Sequence, residues 1–306
     1  MVDVSVVIAT HNRASMVVEA IDSVLSQSEP VREVIVVDDG SSDQTERQLS
    51  AYGDRIRAFF RPQGGASAAR NFGMQAAQGR WIAFLDDDDV WLPAKIERQM
   101  KIVANNPNVG LVYCSDFAVD EQLHMLYTRE AAPENRGDVF ERLLMKNFIF
   151  TSCAIARRDA VERANYMRPD LRFAQDWDLW LKIAAHAPVD FVAEPLVLYR
   201  QSAVGCLTRD MSADEKLLEL QIIVDGARSL VPDRVYYRAL QQVELQWASS
   251  SLREGNNRQA FSHSMRAVIC QPASATGYRL LAHSLAPKAA REWVKRFTSR
   301  HGADRG

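Results

Sequence analysis

"WIAFLDDDDVWLP", residues 81–93, sets four consecutive carboxylates directly behind an unbroken apolar run. The run Trp81–Leu85 is short and bounded by polar residues, the pattern of a strand covered on both faces. Asp86, Asp87, Asp88 and Asp89 therefore stand at the rim of a sheet. Adjacent carboxylates repel, and crowding raises their pKa values unless a cation sits among them. The ordinary reading of a charge run is a solvated loop. The position behind a buried strand favours instead a divalent metal that also carries phosphates. Mg2+ takes one or two protein carboxylates and completes its shell with water and phosphate oxygens.

Working outward, "VSVVIA" (4–9), "VIVVDD" (34–39) and "IRAFF" (56–60) read as further strands. Helix-spaced Val17, Val18, Ile21, Val24 and Leu25 lie between the first two. "ASAARNFGMQAAQG" predicts a helix closed by Gly79. Strands alternating with helices predict a mostly parallel α/β sheet, whose ligands bind outside the carboxyl ends of the strands. Thr10–Arg13, Asp38–Asp43 and Asp86–Asp89 all fall at those ends. From about residue 95 the pattern is mixed: "VGLVYCSDF" and "VDFVAEPLVLYR" are extended, "DVFERLLMKNF" and "QDWDLWLKIAAHA" helical, and "TSCAIARRDAVERA" runs from strand into helix. After about 210 only helices are signalled. Trp247–Pro272 has the look of one tetratricopeptide unit, which alone cannot bury its faces and is expected to be an appendage.

Composition excludes several classes. The 306 residues are 47% apolar and 25% charged with formal net charge −2, so nothing argues globally for nucleic acid. Cys114, Cys153, Cys206 and Cys270 are widely spaced and signal neither a zinc site nor a disulfide framework. "MVDVSVVIATHNR" lacks the basic start and long apolar run of a signal peptide, and no run is long enough to span a bilayer. A cytoplasmic protein is expected, at most peripheral on the membrane's cytoplasmic face.

There is no G-x-x-x-x-G-K-[ST] loop, and no G-x-G-x-x-G follows the first strand, which weakens P-loop and dinucleotide readings. Thr10, Asn12, Asp39 and Arg70 remain at the strand ends and could hydrogen-bond a base or pair with a diphosphate. Taken singly, Asp39 is equally a turn former beside Gly40, and Arg70 a surface cation.

"VSVVIATHNR", "EVIVVDDGSSDQT", "GGASAARNFGMQAAQGRWIAFLDDDDVWLPAKIERQ" and "QDWDLWLKIA", in this order and spacing, resemble the family 2 glycosyltransferases. The resemblance covers about 1–105 closely and extends to about 200. It implies a GT-A-type α/β fold, a Rossmann-like mostly parallel sheet flanked by helices, over 1–205, with 206–306 as an α-helical C-terminal extension. It implies an inverting, metal-dependent enzyme using Mn2+ or Mg2+ and a nucleoside diphosphate sugar, commonly a UDP-sugar. The acceptor would be a saccharide or a lipid-linked hydroxyl, in a setting such as polysaccharide biosynthesis.

The resemblance places Thr10, His11 and Asn12 along the nucleotide, Asp39 at the base and Arg70 near base and diphosphate. It makes Asp86 and Asp88 the D-x-D motif, Asp88 as direct metal ligand, Asp86 nearer ribose or metal, and Asp87 between them on the donor. Asp176 matches the catalytic base. The reading of Asp176 from its own surroundings is a helix N-cap, with Asp178 an acidic neighbour on the same turn. Three positions depart from the family pattern. His11 stands where an aromatic stacks on the base, Gln175 where a Glu precedes the catalytic Asp, and Ser202 where a His reaches the metal or diphosphate.

Trp91 and Pro93 read as packing and turn residues. The basic stretch "PKAAREWVKRFTSRHGADRG" has the pattern of a segment lying on an anionic membrane, or of a solvated terminal helix with Trp293 and Phe297 docked. Two rival functions stay open. A sugar nucleotidyltransferase would carry a Gly- and Lys-rich signature that "THNRAS" lacks. A non-catalytic nucleotide-sugar-binding or scaffold member would tolerate Gln175 and Ser202.

Overall fold

The computed structural model describes residues 1–201 and 211–286. Ser202, Cys206 and the basic stretch 287–306 lie outside them. The chain divides into two compact units, Met1–Asp210 and Met211–Gly306.

The first unit opens with β1 (Val2–Thr10), α1 (Ala14–Leu25), β2 (Val31–Asp38), α2 (Thr45–Ser50), β3 (Arg57–Phe60), α3 (Ala66–Ala76) and β4 (Trp81–Asp86). Val4, Val6, Val7 and Ile8 of β1 and Trp81–Leu85 of β4 are all buried, so consecutive side chains are covered on both faces. Then come β5 (Val90–Trp91), α4 (Lys95–Asn105), β6 (Leu111–Val119), β7 (Met125–Arg129), α5 (Phe140–Met145), β8 (Ile155–Arg157), α6 (Arg158–Arg163), α7 (Gln175–Ala184) and β9 (Val189–Arg200). One nine-stranded sheet runs β3-β2-β1-β4-β8-β6-β9-β5, with β7 paired to β6. The block β3-β2-β1-β4 is parallel, as is β6 with β9, while β8 lies antiparallel between β4 and β6. This is the α/β architecture the strand–helix alternation predicts. Register sets Thr10 opposite Asp38 and Ala9 opposite Asp86, so the polar ends of three strands form one edge.

Two glycines explain how α3 reaches that edge. A Cβ on Gly73 would lie 2.5 Å from Val7 Cγ1, so only glycine lets α3 sit this close to β1. Gly79 is not the helix cap predicted for it. The helix ends at Ala76, the next residue is extended, and a Cβ on Gly79 would lie 2.6 Å from the Ser5 amide nitrogen. Close backbone approach, not a left-handed cap, demands glycine there.

The short elements β5 and β7, helix α4 and the helix Ala275–Leu285 were not legible from periodicity. In α4 a buried lysine breaks the apolar pattern: Lys95 is 0% exposed, its Nζ 2.8 Å from Gln99 Oε1 and 3.9 Å over the Trp91 ring.

The second unit contains α8 (Ala213–Gly226), α9 (Asp233–Arg253), α10 (Asn257–Cys270) and α11 (Ala275–Leu285). Ser212 and Glu215 form a reciprocal capping box at the start of α8. Between α9 and α10 the Trp247 and His263 rings stack at 5.0 Å, and fully buried Ala248, Ala260 and Ala267 permit close packing.

Burial lowers the Lys95 pKa to about 8, while the nearby Cys114 and Cys153 thiols act in the opposite direction. Above that value the folded chain carries a neutral amine while the unfolded chain stays protonated up to its ordinary value of about 10.4. Stability relative to a Lys95→Met variant should therefore rise with pH across that window, by up to about 1.4 kcal/mol per pH unit. Urea unfolding of both proteins at several pH values checks this; a pH-independent difference contradicts it.

Candidate active site at the carboxyl edge of the sheet

The acidic quartet is divided in two by the backbone. Beyond Leu85 the chain makes a turn in which Asp89 N–H donates to the Asp86 carbonyl at 3.1 Å. The side chains of Asp86 and Asp88 are 23% and 19% exposed, that of Asp87 only 7%. Asp89 is fully buried. The alternation turns Asp86 and Asp88 outward and Asp87 and Asp89 inward.

Arginines answer the charge of both pairs. Arg13, in the turn after β1, places one guanidinium nitrogen 2.6 Å from Asp87 and 2.8 Å from Asp88. Arg70, on α3, reaches Asp86 at 2.5 Å. Asp89 Oδ1 accepts the Arg200 backbone N–H at 2.8 Å, and the Arg200 guanidinium donates to the Asp88 carbonyl at 2.7 Å and to Glu19 at 2.7 Å. Sequence reasoning assigned all the neutralising charge to a metal. It missed Arg13 and Arg200 because a counter-ion 74 or more positions away leaves no local pattern.

Even so the loop stays proton-hungry. Burial, with Arg13 opposing it and Asp87 and Asp86 adding to it, pushes Asp88 up to about 6. Burial also raises Asp87 and, joined by the charges of Asp88 and Asp86, lifts Asp89 well above the usual carboxylate range. An added cation would relieve this. The donor set fits one: two outward carboxylates at one edge, each committing an oxygen to an arginine and having a second. Among the described residues no group of three or more His, Cys, Asp or Glu side chains could hold an ion by itself. A cation here would draw its other ligands from water and a diphosphate, the habit of Mg2+.

Asp176 comes to the same edge from α7. It occupies the first turn, but the cap position is Ala174, so Asp176 is not the N-cap expected of it. Instead Asp176 Oδ1 accepts the Trp177 N–H at 2.7 Å and Oδ2 accepts the Thr151 hydroxyl at 3.2 Å. Burial, partly offset by the Trp177 N–H, raises its pKa to about 6; the Asp86 charge raises it further and Arg70 lowers it. Arg70 thus stands electrostatically between Asp86 and Asp176. Asp178, the acidic neighbour, is consumed by an ion pair with Lys182 at 2.6 Å.

The remaining candidates form one wall. Asn12 has φ +53° and accepts the Ser42 N–H at 2.7 Å, joining the turns after β1 and β2. His11 Nδ1 lies 3.0 Å from the Asp39 carbonyl oxygen. Both Asp39 carboxylate oxygens accept backbone N–H groups, of Gly64 at 2.8 Å and Gly65 at 2.7 Å, fixing the approach to α3. Thr10 is buried beside Asp87. Asp87 itself faces Arg13 and not the open edge. Gln175 is buried in α7, and Trp91 is a packing residue whose Nε1 donates to the Ser152 carbonyl at 2.8 Å.

The edge of a parallel α/β block thus carries paired outward carboxylates and a separate raised carboxylate, and sequence comparison supplies the class. The chain belongs to glycosyl transferase family 2, whose profile matches residues 5–164. An uncharacterized glycosyltransferase of Rickettsia typhi is 32% identical over 201 residues, 64% of this chain and 63% of that protein. TuaG of Bacillus subtilis, provisionally assigned as a teichuronic acid biosynthesis glycosyltransferase, is 30% identical over 190 residues, 59% of this chain and 71% of that one. The chain therefore aligns with less than two thirds of the Rickettsia protein's length. The fold matches Staphylococcus aureus TarS 1–349, crystallised with UDP-GlcNAc, at TM-score 0.67 and 14% identity over 97% of this chain and 92% of that one. It also matches a Pyrobaculum calidifontis mannosyltransferase, solved with GDP-Man and Mn2+, at TM-score 0.57 and 19% identity over 96% and 83%. The GT-A-type fold expected from the motifs is the fold observed.

Removing one partner of a buried ion pair leaves an uncompensated charge, at a cost on the order of 3–5 kcal/mol. Arg13→Ala should lose stability on that scale in chemical denaturation. Adding Asp87→Ala should cost less than the two single losses summed; simple additivity contradicts the pairing.

Proposed function

We propose that the protein transfers a sugar from a nucleoside diphosphate sugar, on this reading a UDP-sugar, to a hydroxyl of a saccharide or lipid-linked acceptor. The observation that carries the reading is the pairing, at one sheet edge, of outward Asp86 and Asp88 with Asp176 across Arg70. In this reading residues 1–205 are the catalytic domain and 206–306 a helical extension.

Transfer by single displacement inverts the anomeric centre and needs a base on the acceptor hydroxyl and relief of charge on the departing diphosphate. Asp176 is the base: its carboxylate is ionised at neutral pH yet more basic than an ordinary Asp, and one positioned base contributes roughly 10²–10⁴-fold in rate. Asp88, with Asp86, would hold Mn2+ or Mg2+, which supplies electrostatic stabilisation of the leaving diphosphate. Arg70 adds fixed positive charge beside that leaving group without reorganising. Thr10, His11, Asn12 and Asp39 line the nucleotide side. Each Asp39 oxygen holds one backbone N–H and keeps lone-pair capacity for a base. His11 offers a smaller stacking surface than the aromatic common in the family. Asp87 supports the site from inside through Arg13.

The relatives' names support glycosyl transfer, and TarS and the mannosyltransferase support nucleotide sugars, with Mn2+ in one case, as donors for the fold. TuaG favours a saccharide acceptor. No described helix is long and apolar enough to cross a membrane.

A thermal-shift screen of nucleoside diphosphates and nucleotide sugars, with and without Mn2+, tests the donor site, since binding stabilises the folded state logarithmically in ligand concentration. Stabilisation requiring both metal and nucleotide is expected. Asp176→Asn should retain that shift and lose turnover by 10²-fold or more, on the order of a general base's contribution, whereas Asp178→Asn should keep turnover within about threefold. Full turnover in Asp176→Asn would remove Asp176 as the base, and donor binding with no turnover in the unaltered chain would leave a binding protein as the better reading.

A further inference from the structure

The turn Thr151–Cys153, a single 3₁₀ turn, touches both halves of the site and belongs to neither. Ser152 is 0% exposed. Its Oγ accepts the Asp86 backbone N–H at 3.0 Å and donates to Asp89 Oδ2. A hydroxyl has one proton and two lone pairs, so both bonds are made at once. The Ser152 carbonyl meanwhile accepts the Trp91 indole at 2.8 Å. One residue thereby holds the acidic loop at its first residue, at its last carboxylate and just beyond it.

The adjacent residue faces the other way. Thr151 Oγ1 donates to Asp176 Oδ2. The turn itself is anchored: Phe84 N–H donates to the Ala154 carbonyl at 3.2 Å, and Gln99 Nε2 to the Cys153 carbonyl at 2.8 Å. Two neighbouring hydroxyls on a buried, pinned turn thus address the acidic loop on one side, at the Asp86 N–H and the Asp89 carboxylate, and the isolated Asp176 carboxylate on the other.

We propose that Ser152 and Thr151 are positioning residues that set the geometry between the Asp86/Asp88 pair and Asp176, Ser152 acting on donor and metal binding and Thr151 on the chemical step. The inference rests on the transferase reading above. Its consequence is a division that a purely structural turn would not show. Supporting partners of metal ligands typically govern 10–100-fold in affinity or activity. Ser152→Ala releases the Asp86 amide and the buried Asp89, so the outward carboxylates lose their fixed placement. Thr151→Val keeps shape but takes from Asp176 Oδ2 its hydroxyl partner, leaving Oδ1 on the Trp177 N–H.

The experiment measures two quantities on the full chain: affinity for UDP with Mn2+ by calorimetry, and release of nucleoside diphosphate from UDP-GlcNAc, UDP-glucose or GDP-mannose with water as acceptor. Thr151→Val should lower the release rate at saturating donor by ~10–100-fold with UDP–Mn2+ affinity unchanged, and Thr151→Ser should restore the rate. Ser152→Ala should weaken UDP–Mn2+ binding about tenfold or more. If Ser152→Ala does not fold, the Thr151 pair decides alone. A Thr151→Val protein with wild-type release, or one losing rate and affinity together without rescue by Ser, overturns the inference while the transferase reading stands. A wild-type protein that binds no UDP with Mn2+ and releases no nucleotide overturns the reading and the inference with it.

Discussion

Four carboxylates on consecutive residues at the mouth of a buried strand are the constraint around which the first unit is arranged. Water cannot solvate all four there, and mutual repulsion raises their pKa values, so positive charge must arrive from elsewhere in the chain. It comes from the turn after β1, from α3 and from the end of β9, through Arg13, Arg70 and Arg200. Each of those segments must then be placed within hydrogen-bond distance of one loop. Gly73 serves the same end, since only a glycine there brings α3, and Arg70 with it, onto β1. Charge compensation and backbone packing specify the same geometry, the agreement between levels that makes a fold unique.

The compensation is uneven, and the proposed function rests on that. Asp87 and Asp89 are buried against protein groups, whereas Asp88, with one oxygen on Arg13, is more exposed and has a pKa near 6. An edge that still favours added positive charge suits a metal-bound diphosphate. Asp176 is raised for a related reason, burial beside another acid, while Arg70 keeps it from rising further. In the proposed transfer, two carboxylate environments set apart by one arginine would meet the separate demands of leaving-group stabilisation and proton abstraction.

Much of the fold was legible because the parallel block buries strands on both faces, and such strands announce themselves as short apolar runs such as Val4–Ala9 and Trp81–Leu85. The ligand edge followed from where those runs stop. The alternation within Asp86–Asp89 could have been read from strand periodicity carried past Leu85, but a turn follows at once and breaks it. Arg200 and Ser152 were invisible for another reason. Each acts on residues 61 or more positions away, through contacts that only the folded sheet creates. Lys95 and Gln99, both buried, broke the apolar spacing of α4, and β5 and β7 are too short to carry a period. Gly79 shows a subtler ambiguity: a glycine after a helix marks either a left-handed cap or a close backbone approach, and only tertiary contact separates them.

In the proposed reading the acidic loop has two outward carboxylates for a cation and two inward ones for the fold. Alanine substitution at each of Asp86, Asp87, Asp88 and Asp89, with Mn2+ binding followed by electron paramagnetic resonance in the presence of UDP and stability by thermal unfolding, tests it most directly. Loss of Mn2+ binding at positions 86 and 88, and Mn2+ binding retained with a lowered unfolding temperature at 87 and 89, is the result predicted. Equal effects at all four positions, or Mn2+ binding untouched by Asp88→Ala, would contradict it.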